Sequence, residues 1–168
     1  MEFYNTIAQG YDELYSEEQK IKLNIIKENL DIKNNDLLLD VGCGTGLSSD
    51  FNCEVIGLDP SLELLHQNND NQNNFNINNK LLARAENIPF KDNAFDKVIS
   101  VTSMHNFDDI AAGIKEIKRV GKNDFVFSIL KRSAVYKLIE KEIKDNFNIK
   151  KIIDDKKDSI FICHKIFK

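Results

Sequence analysis

What this sequence lacks narrows it first. It has three cysteines, Cys43, Cys53 and Cys163, an odd number with no C-x-x-C spacing, so neither a disulfide frame nor a zinc site is expected. They read as reduced thiols of a cytoplasmic protein, and no metal ligands are predicted. No apolar run reaches the roughly 18 residues of a membrane span. The opening MEFYN also lacks the basic start and apolar core of a secretory leader, so neither membrane insertion nor secretion is expected. A dinucleotide fingerprint is missing too. Counted from Gly42 and Gly44, the third glycine of G-x-G-x-x-G would fall on Leu47.

What is present is ordinary in bulk. A length of 168 residues suits one domain with a substantial core, and 42% hydrophobic with 30% charged residues is the balance of a soluble globular chain. The net charge of −4 conceals a division, however: residues 114–168 carry 15 Lys or Arg against 8 Asp or Glu, whereas residues 1–113 carry 8 against 19. Such asymmetry has two readings, a nucleic-acid face or merely the solvated surface of helices.

The organising stretch is Leu37 to Asp59, LLLDVGCGTGLSSDFNCEVIGLD. Leu37, Leu38, Leu39 and Val41 form the apolar run of a strand buried on both faces. Gly42, Gly44 and Gly46 follow at once and let a ligand approach bare peptide N–H groups. Twelve residues separate Gly46 from Asp59, room for one or two helical turns before a second strand, Cys53 to Leu58. Asp59 then ends that strand, where a carboxylate can accept from both hydroxyls of a ribose. These features point to an adenosine-containing cofactor.

The pattern from Asp40, D-x-G-x-G-x-G, resembles motif I of the class I S-adenosylmethionine-dependent methyltransferases. In that family the turn carries the amino-acid half of a cofactor with an ammonium and a sulfonium but no phosphate, and Asp40 suits those cations. The opening Y-N-T-I-A-Q-G-Y-D resembles the ubiquinone-biosynthesis type (type 11) of the family, which implies Tyr11 as a lid residue; packing is the alternative for a tyrosine at this helical spacing. Leu81 to Ser100, LLARAENIPFKDNAFDKVIS, is similar to the family's adenine loop and fourth strand. Where many relatives have an aspartate facing the adenine amino group, this chain has Arg84, which cannot accept, and Glu86 is the carboxylate at hand. The resemblance implies that Tyr11, Asp40, Gly42, Cys43, Gly44, Gly46, Asp59, Pro60, Ala85, Glu86 and Ser100 hold S-adenosyl-L-methionine.

The substrate belongs beside SVTSMHNFDDI, which follows the fourth strand. It lacks the D/N-P-P-Y of enzymes that methylate base or glutamine nitrogens, and no paired cysteines of the cytosine C5 type are present. His105 has two readings of equal standing, a general base for the acceptor or a packing and capping residue. His66 and His164 have no evident partners.

The remaining elements complete an α/β expectation: a Rossmann-like, doubly wound sheet of seven strands with an antiparallel seventh strand and helices on both faces. A helix at roughly 17–30 should place Ile21, Ile25, Ile26 and Leu30 on the sheet. Asn68 to Asn79, with eight asparagines in twelve residues, reads as a solvated connection. Another helix should end at Gly121, the fifth strand should run from Phe125 to Leu130, and a further helix should start at Ser133. Ser159 to Phe167 is apolar on both faces, as a strand inserted beside the fifth must be. The expected organisation is one domain over residues 1–168, with 1–30 as a helical lid and 37–168 as the core. The resemblance implies methyl transfer by direct displacement to a small molecule or RNA. The alternative is a non-catalytic cofactor-binding subunit of a methyltransferase complex, so a protein partner is also considered.

Overall fold

The computed structural model describes residues 17–66 and 79–166. The expected lid segment with Tyr11, and nearly all of the asparagine-rich connection, lie outside these described residues. Seven strands form one sheet in the order β3-β2-β1-β4-β5-β7-β6. They are β1 (Leu37–Val41), β2 (Glu54–Asp59), β3 (Lys80–Leu82), β4 (Phe95–Val101), β5 (Gly121–Leu130), β6 (Phe147–Asp154) and β7 (Asp158–Lys165). Strands β1 to β5 pair in parallel, while β7 runs antiparallel between β5 and β6. The expected seven-stranded, Rossmann-like fold is the one observed.

Alternation along the strands produces two apolar layers. Leu39, Val98, Phe125, Phe127 and Phe161 face one side, packed with α3 (Ile110–Val120) and α4 (Tyr136–Asn146) through Ile114, Ile117, Ile139 and Ile143. Phe147 at the end of α4 closes this layer, its ring centroid 4.7 Å from that of Phe125 and 5.0 Å from that of Phe127. Leu38, Val55, Ile99, Val126, Ile160 and Ile162 face the other side, covered by Leu23 and Ile26 of α1 (residues 17–29) and by Leu30 just after it. Residues Asp158 to Cys163 of β7 are all buried, as insertion between two strands demands.

Several local expectations shift. Helix α1 buries Lys22, Leu23 and Ile26, with Leu30 buried just after it, while Ile21 is 52% exposed. A lysine displaces an isoleucine on the inner face because an acidic partner, Asp158, waits there 3.0 Å away. The helix after the glycines is a single 3-10 turn, Leu47–Asp50, in keeping with the short spacing. Helix α4 starts at Tyr136 rather than Ser133, whose hydroxyl instead accepts from the Val135 N–H at 3.3 Å. Strand β5 begins at Gly121, which caps α3 with an extended φ of −86°. That glycine is needed for space: an added Cβ would lie 2.4 Å from Cε1 of Phe125 and 2.9 Å from Cγ2 of Val98. Gly121→Ala should therefore lower the unfolding free energy by about 1–3 kcal/mol through overpacking, read as a drop in the urea midpoint. An unchanged midpoint would show that the Phe125 ring turns aside freely.

Candidate functional site

The carboxyl ends of β1, β2 and β4 open into a cavity, the usual ligand position in an open α/β sheet. Its floor is the glycine turn. Gly42 has φ of 78°, and a Cβ there would lie 2.4 Å from Cβ of Ser103, so only glycine lets the turn and the segment after β4 meet. The Gly42 and Cys43 N–H groups both donate to the Leu58 carbonyl, at 2.7 and 3.0 Å, which locks the turn to β2.

Asp59 ends β2 on the cavity wall. Its Oδ2 accepts from the Gly44 N–H and its Oδ1 from the Ser61 N–H, each at 2.9 Å. Each oxygen keeps lone-pair capacity for a further donor. Burial pushes its pKa up, opposed by those two N–H groups and by the Lys80 charge. Ser61 also accepts from the Leu64 N–H at 3.3 Å, starting helix α2 (Leu62–His66).

Asp40 lies in a smaller adjoining hollow that shares Gly42 and Gly44 with the cavity and is closed by Gln19 and Leu23 of α1. Its Oδ1 and the neighbouring Ser48 hydroxyl are both buried and reach no partner at full hydrogen-bond geometry among the described residues, although the hydroxyl lies near enough to the carboxyl to favour its charged form. Burial lifts the Asp40 pKa to about 7, with the Ser48 hydroxyl pulling it down and the Asp59 charge pushing it up. Cys43 borders the same hollow, and burial with the Asp40 and Asp59 charges holds its thiol well above the ordinary range, so it is no nucleophile at neutral pH.

The third wall is the loop after β3. Ala85 is buried on the cavity, with Arg84 and Glu86 beside it. Glu86 Oε1 accepts from the Asp108 and Asp109 N–H groups at 2.7 and 3.2 Å, binding this loop to the start of α3. The Arg84 guanidinium bridges Asp108, to whose carboxylate it donates, and Glu86, whose Oε2 lies 3.6 Å from Nε. The residue that departs from the family pattern thus serves as a clasp between two cavity walls.

Of the residues singled out in the sequence, Gly42, Gly44, Asp59, Pro60, Ala85 and Glu86 line the cavity, and Asp40 and Cys43 line the adjoining hollow. Gly46 lies outside both, capping the 3-10 turn with φ of 93°. Ser100 is fully buried behind the wall, its hydroxyl 2.6 Å from that of Ser103. His105 is half-buried in a second 3-10 turn, Met104–Asn106, and is not among the residues lining the cavity. Burial lowers its pKa, with Asp158 pulling it up and Lys22 pushing it down. His164 has a partner that its sequence context did not show, Asp124 at 2.9 Å. Sequence reasoning missed Thr102, Ser103, Asn106, Phe107 and Asp108 as individual cavity residues; their sole signal was position just after β4.

The raised Asp40 pKa fixes a pH effect. A carboxyl with pKa about 7 when folded and 3.8 ordinarily holds its proton longer in the folded state, so stability falls as pH rises through that interval. Asp40→Asn removes the dependence. The unfolding free energy of the variant relative to wild type should climb between pH 4 and pH 8, by roughly 4 kcal/mol at most. A difference that stays flat with pH in urea titrations would show that Asp40 ionises normally.

Comparison with known proteins gives this geometry a context. The methyltransferase-domain family pattern matches residues 39–129, the span from β1 to β5. An uncharacterized protein of Methanocaldococcus jannaschii is 32% identical over 95% of this chain and 63% of its own length. The demethylmenaquinone methyltransferase of Staphylococcus haemolyticus is 30% identical over 71% of this chain and 54% of its own length. The chain thus spans between about half and two thirds of the length of these relatives. Among solved structures, the complex between the Haloferax volcanii Trm112 methyltransferase activator and a methyltransferase shares the fold with a TM-score of 0.78, at 14% identity, over 96% of each chain. With the family pattern covering more than half of its residues and an archaeal relative aligned along nearly all of it, the chain belongs to the methyltransferase-domain family, whose cofactor is S-adenosyl-L-methionine.

Proposed function

We propose that this chain is the catalytic domain of a methyltransferase acting on a small organic molecule. One observation carries the cofactor assignment: the buried Asp40 Oδ1, without a hydrogen-bond partner among the described residues, beside a turn where Gly42 leaves the backbone bare. An unmet buried acceptor costs about 1–3 kcal/mol, which an ammonium group entering the hollow would offset. The donor set also suits a cation better than a pyrophosphate, since two carboxyls, Asp40 and Asp59, border the turn.

When bound, S-adenosyl-L-methionine supplies a methyl group activated on a sulfonium, open to direct displacement by a nucleophile. The chain's own contribution is placement, the largest factor available when two reactants must meet in line. Asp40 would hold the ammonium, the two oxygens of Asp59 the ribose hydroxyls, and the backbone at Ala85 the adenine edge. The wall from Thr102 to Phe107 would then close against the cofactor and present the acceptor. Tyr11 and residues 1–30 are proposed as the lid of one domain whose core is 37–168. His105 would act on the acceptor only after a rearrangement that brings its ring to the cavity, so we assign it no proton transfer here.

A small acceptor is favoured over RNA in that four lysines of the C-terminal third already share three carboxylates, which lessens without cancelling the basic surface RNA would need. Lys137 and Lys144 pair with Glu140, Lys141 with Asp145, and Lys131 with Asp154. The relationship to a demethylmenaquinone methyltransferase supports the same choice. The fold shared with a methyltransferase solved beside its activator supports a second reading, a subunit that binds the cofactor within a complex.

Transfer of labelled methyl groups from S-adenosylmethionine into cell extract, fractionated into metabolites, RNA and protein, separates these readings. Label should enter the metabolite fraction. Label confined to RNA would replace the acceptor, and no label in any fraction, with cofactor binding intact, would favour the subunit. In calorimetry, Asp59→Ala should weaken S-adenosylmethionine binding by about 1–3 kcal/mol, the scale of a lost buried acceptor. Unchanged affinity would move the ribose elsewhere.

A further inference from the structure

Thr102 carries a backbone conformation that its side chain disfavours. Its φ is 52°, in the left-handed region, which is a genuine outlier for a β-branched residue; Asn93, the other non-glycine residue with positive φ among those described, is of a type that tolerates it. Outliers of this kind persist only where their surroundings hold them. Here the surroundings are a buried polar network. The Thr102 hydroxyl accepts from Lys22 Nζ at 2.9 Å and donates to Asp158 Oδ2 at 2.8 Å. Lys22 Nζ also donates to Glu18 Oε1 at 2.9 Å and lies 3.0 Å from Asp158 Oδ1. The Ser128 hydroxyl donates to the same Asp158 Oδ2 at 2.5 Å, and the Ser128 carbonyl accepts from the Thr102 N–H at 3.0 Å. Lys22 and Asp158 are fully buried.

A buried ion pair contributes little to net stability compared with apolar residues of the same shape, so its presence calls for another role. Its place suggests one. Thr102 lines the cavity, and the next residue, Ser103, packs on Gly42 and donates to the Val41 carbonyl at 2.9 Å. The network therefore joins α1, the start of β7 and the end of β4 at the point where the chain turns over the cofactor floor. We propose that Lys22 and Asp158 are positioning residues for methyl transfer: by engaging the Thr102 hydroxyl from both sides they hold its left-handed turn, and so seat the wall Thr102–Asn106 against the cofactor. The inference rests on the cofactor assignment above.

The test uses S-adenosylhomocysteine, the demethylated cofactor, as probe, with Thr102→Val, Thr102→Ser and the paired replacement Lys22→Met with Asp158→Leu. Affinity is measured by calorimetry under conditions where urea titration shows each variant folded. Backbone amide exchange is followed over residues 102–106. Thr102→Val, which keeps shape but loses the hydroxyl and both of its hydrogen bonds, should bind about tenfold more weakly because the turn is no longer held, and its 102–106 amides should exchange faster. Thr102→Ser should bind as wild type does. The paired replacement should keep its stability yet bind weakly like Thr102→Val. Wild-type affinity and exchange in Thr102→Val, or in the folded paired variant, would overturn the proposal and leave the network a purely structural device. Failure of the wild-type protein to bind the probe would instead overturn the cofactor assignment.

Discussion

The grip of the Asp59 carboxylate on two backbone N–H groups is the interaction on which the site depends. One oxygen holds Gly44 in the turn after β1 and the other holds Ser61 at the entry to α2, each at 2.9 Å. A carboxylate accepting backbone N–H bonds is favoured in its charged form, which counters its burial. That single side chain therefore fixes the distance between the two loops that flank the cavity and still presents lone pairs to a ligand. Without it the turn would be tied to β2 chiefly through the Leu58 carbonyl.

Around this grip the site divides into three zones of different chemistry. The hollow at Asp40 is acidic, with a buried carboxyl poised near neutrality. The zone at Asp59 is a hydrogen-bonding shelf. The outer wall is bound together by charge, with Glu86 holding the start of α3 and Arg84 clasped to Asp108. An amino acid, a ribose and a base in that order present complementary features, an ammonium, paired hydroxyls and a flat ring. The glycine turn also needs no third glycine at Leu47: that glycine packs a full helix closely on its strand below a pyrophosphate, and here the helix is one 3-10 turn.

The sheet was legible because its signals are local. Four apolar residues before a glycine turn, a carboxylate closing the next strand, and a final strand apolar on both faces each mark an element, while their arrangement in one sheet was implied by the family resemblance. The floor of the site was legible for the same reason, since Gly42, Gly44, Asp59 and Ala85 belong to short contiguous motifs. What stayed hidden depends on contacts between distant segments. Nothing in the periodicity of α1 marks Lys22 as its most deeply buried polar residue, because the reason is Asp158, far along the chain. Gly121 looked like an ordinary helix stop, yet the Phe125 ring is what excludes a side chain there. Arg84 read as a departure that weakens adenine recognition, whereas its partner Asp108 shows a residue that closes the wall.

The central claim is that the Asp40 carboxyl, one of whose oxygens has no hydrogen-bond partner among the described residues, receives the cationic end of S-adenosylmethionine. Calorimetry of S-adenosylhomocysteine binding near pH 6, repeated in buffers of different ionisation enthalpy, tests it most directly, because Asp40 is largely protonated in the free protein at that pH and must ionise to meet an ammonium. The account predicts binding that releases a proton near pH 6, an effect that shrinks toward pH 8. Binding with the same enthalpy in every buffer, or no binding, would contradict it.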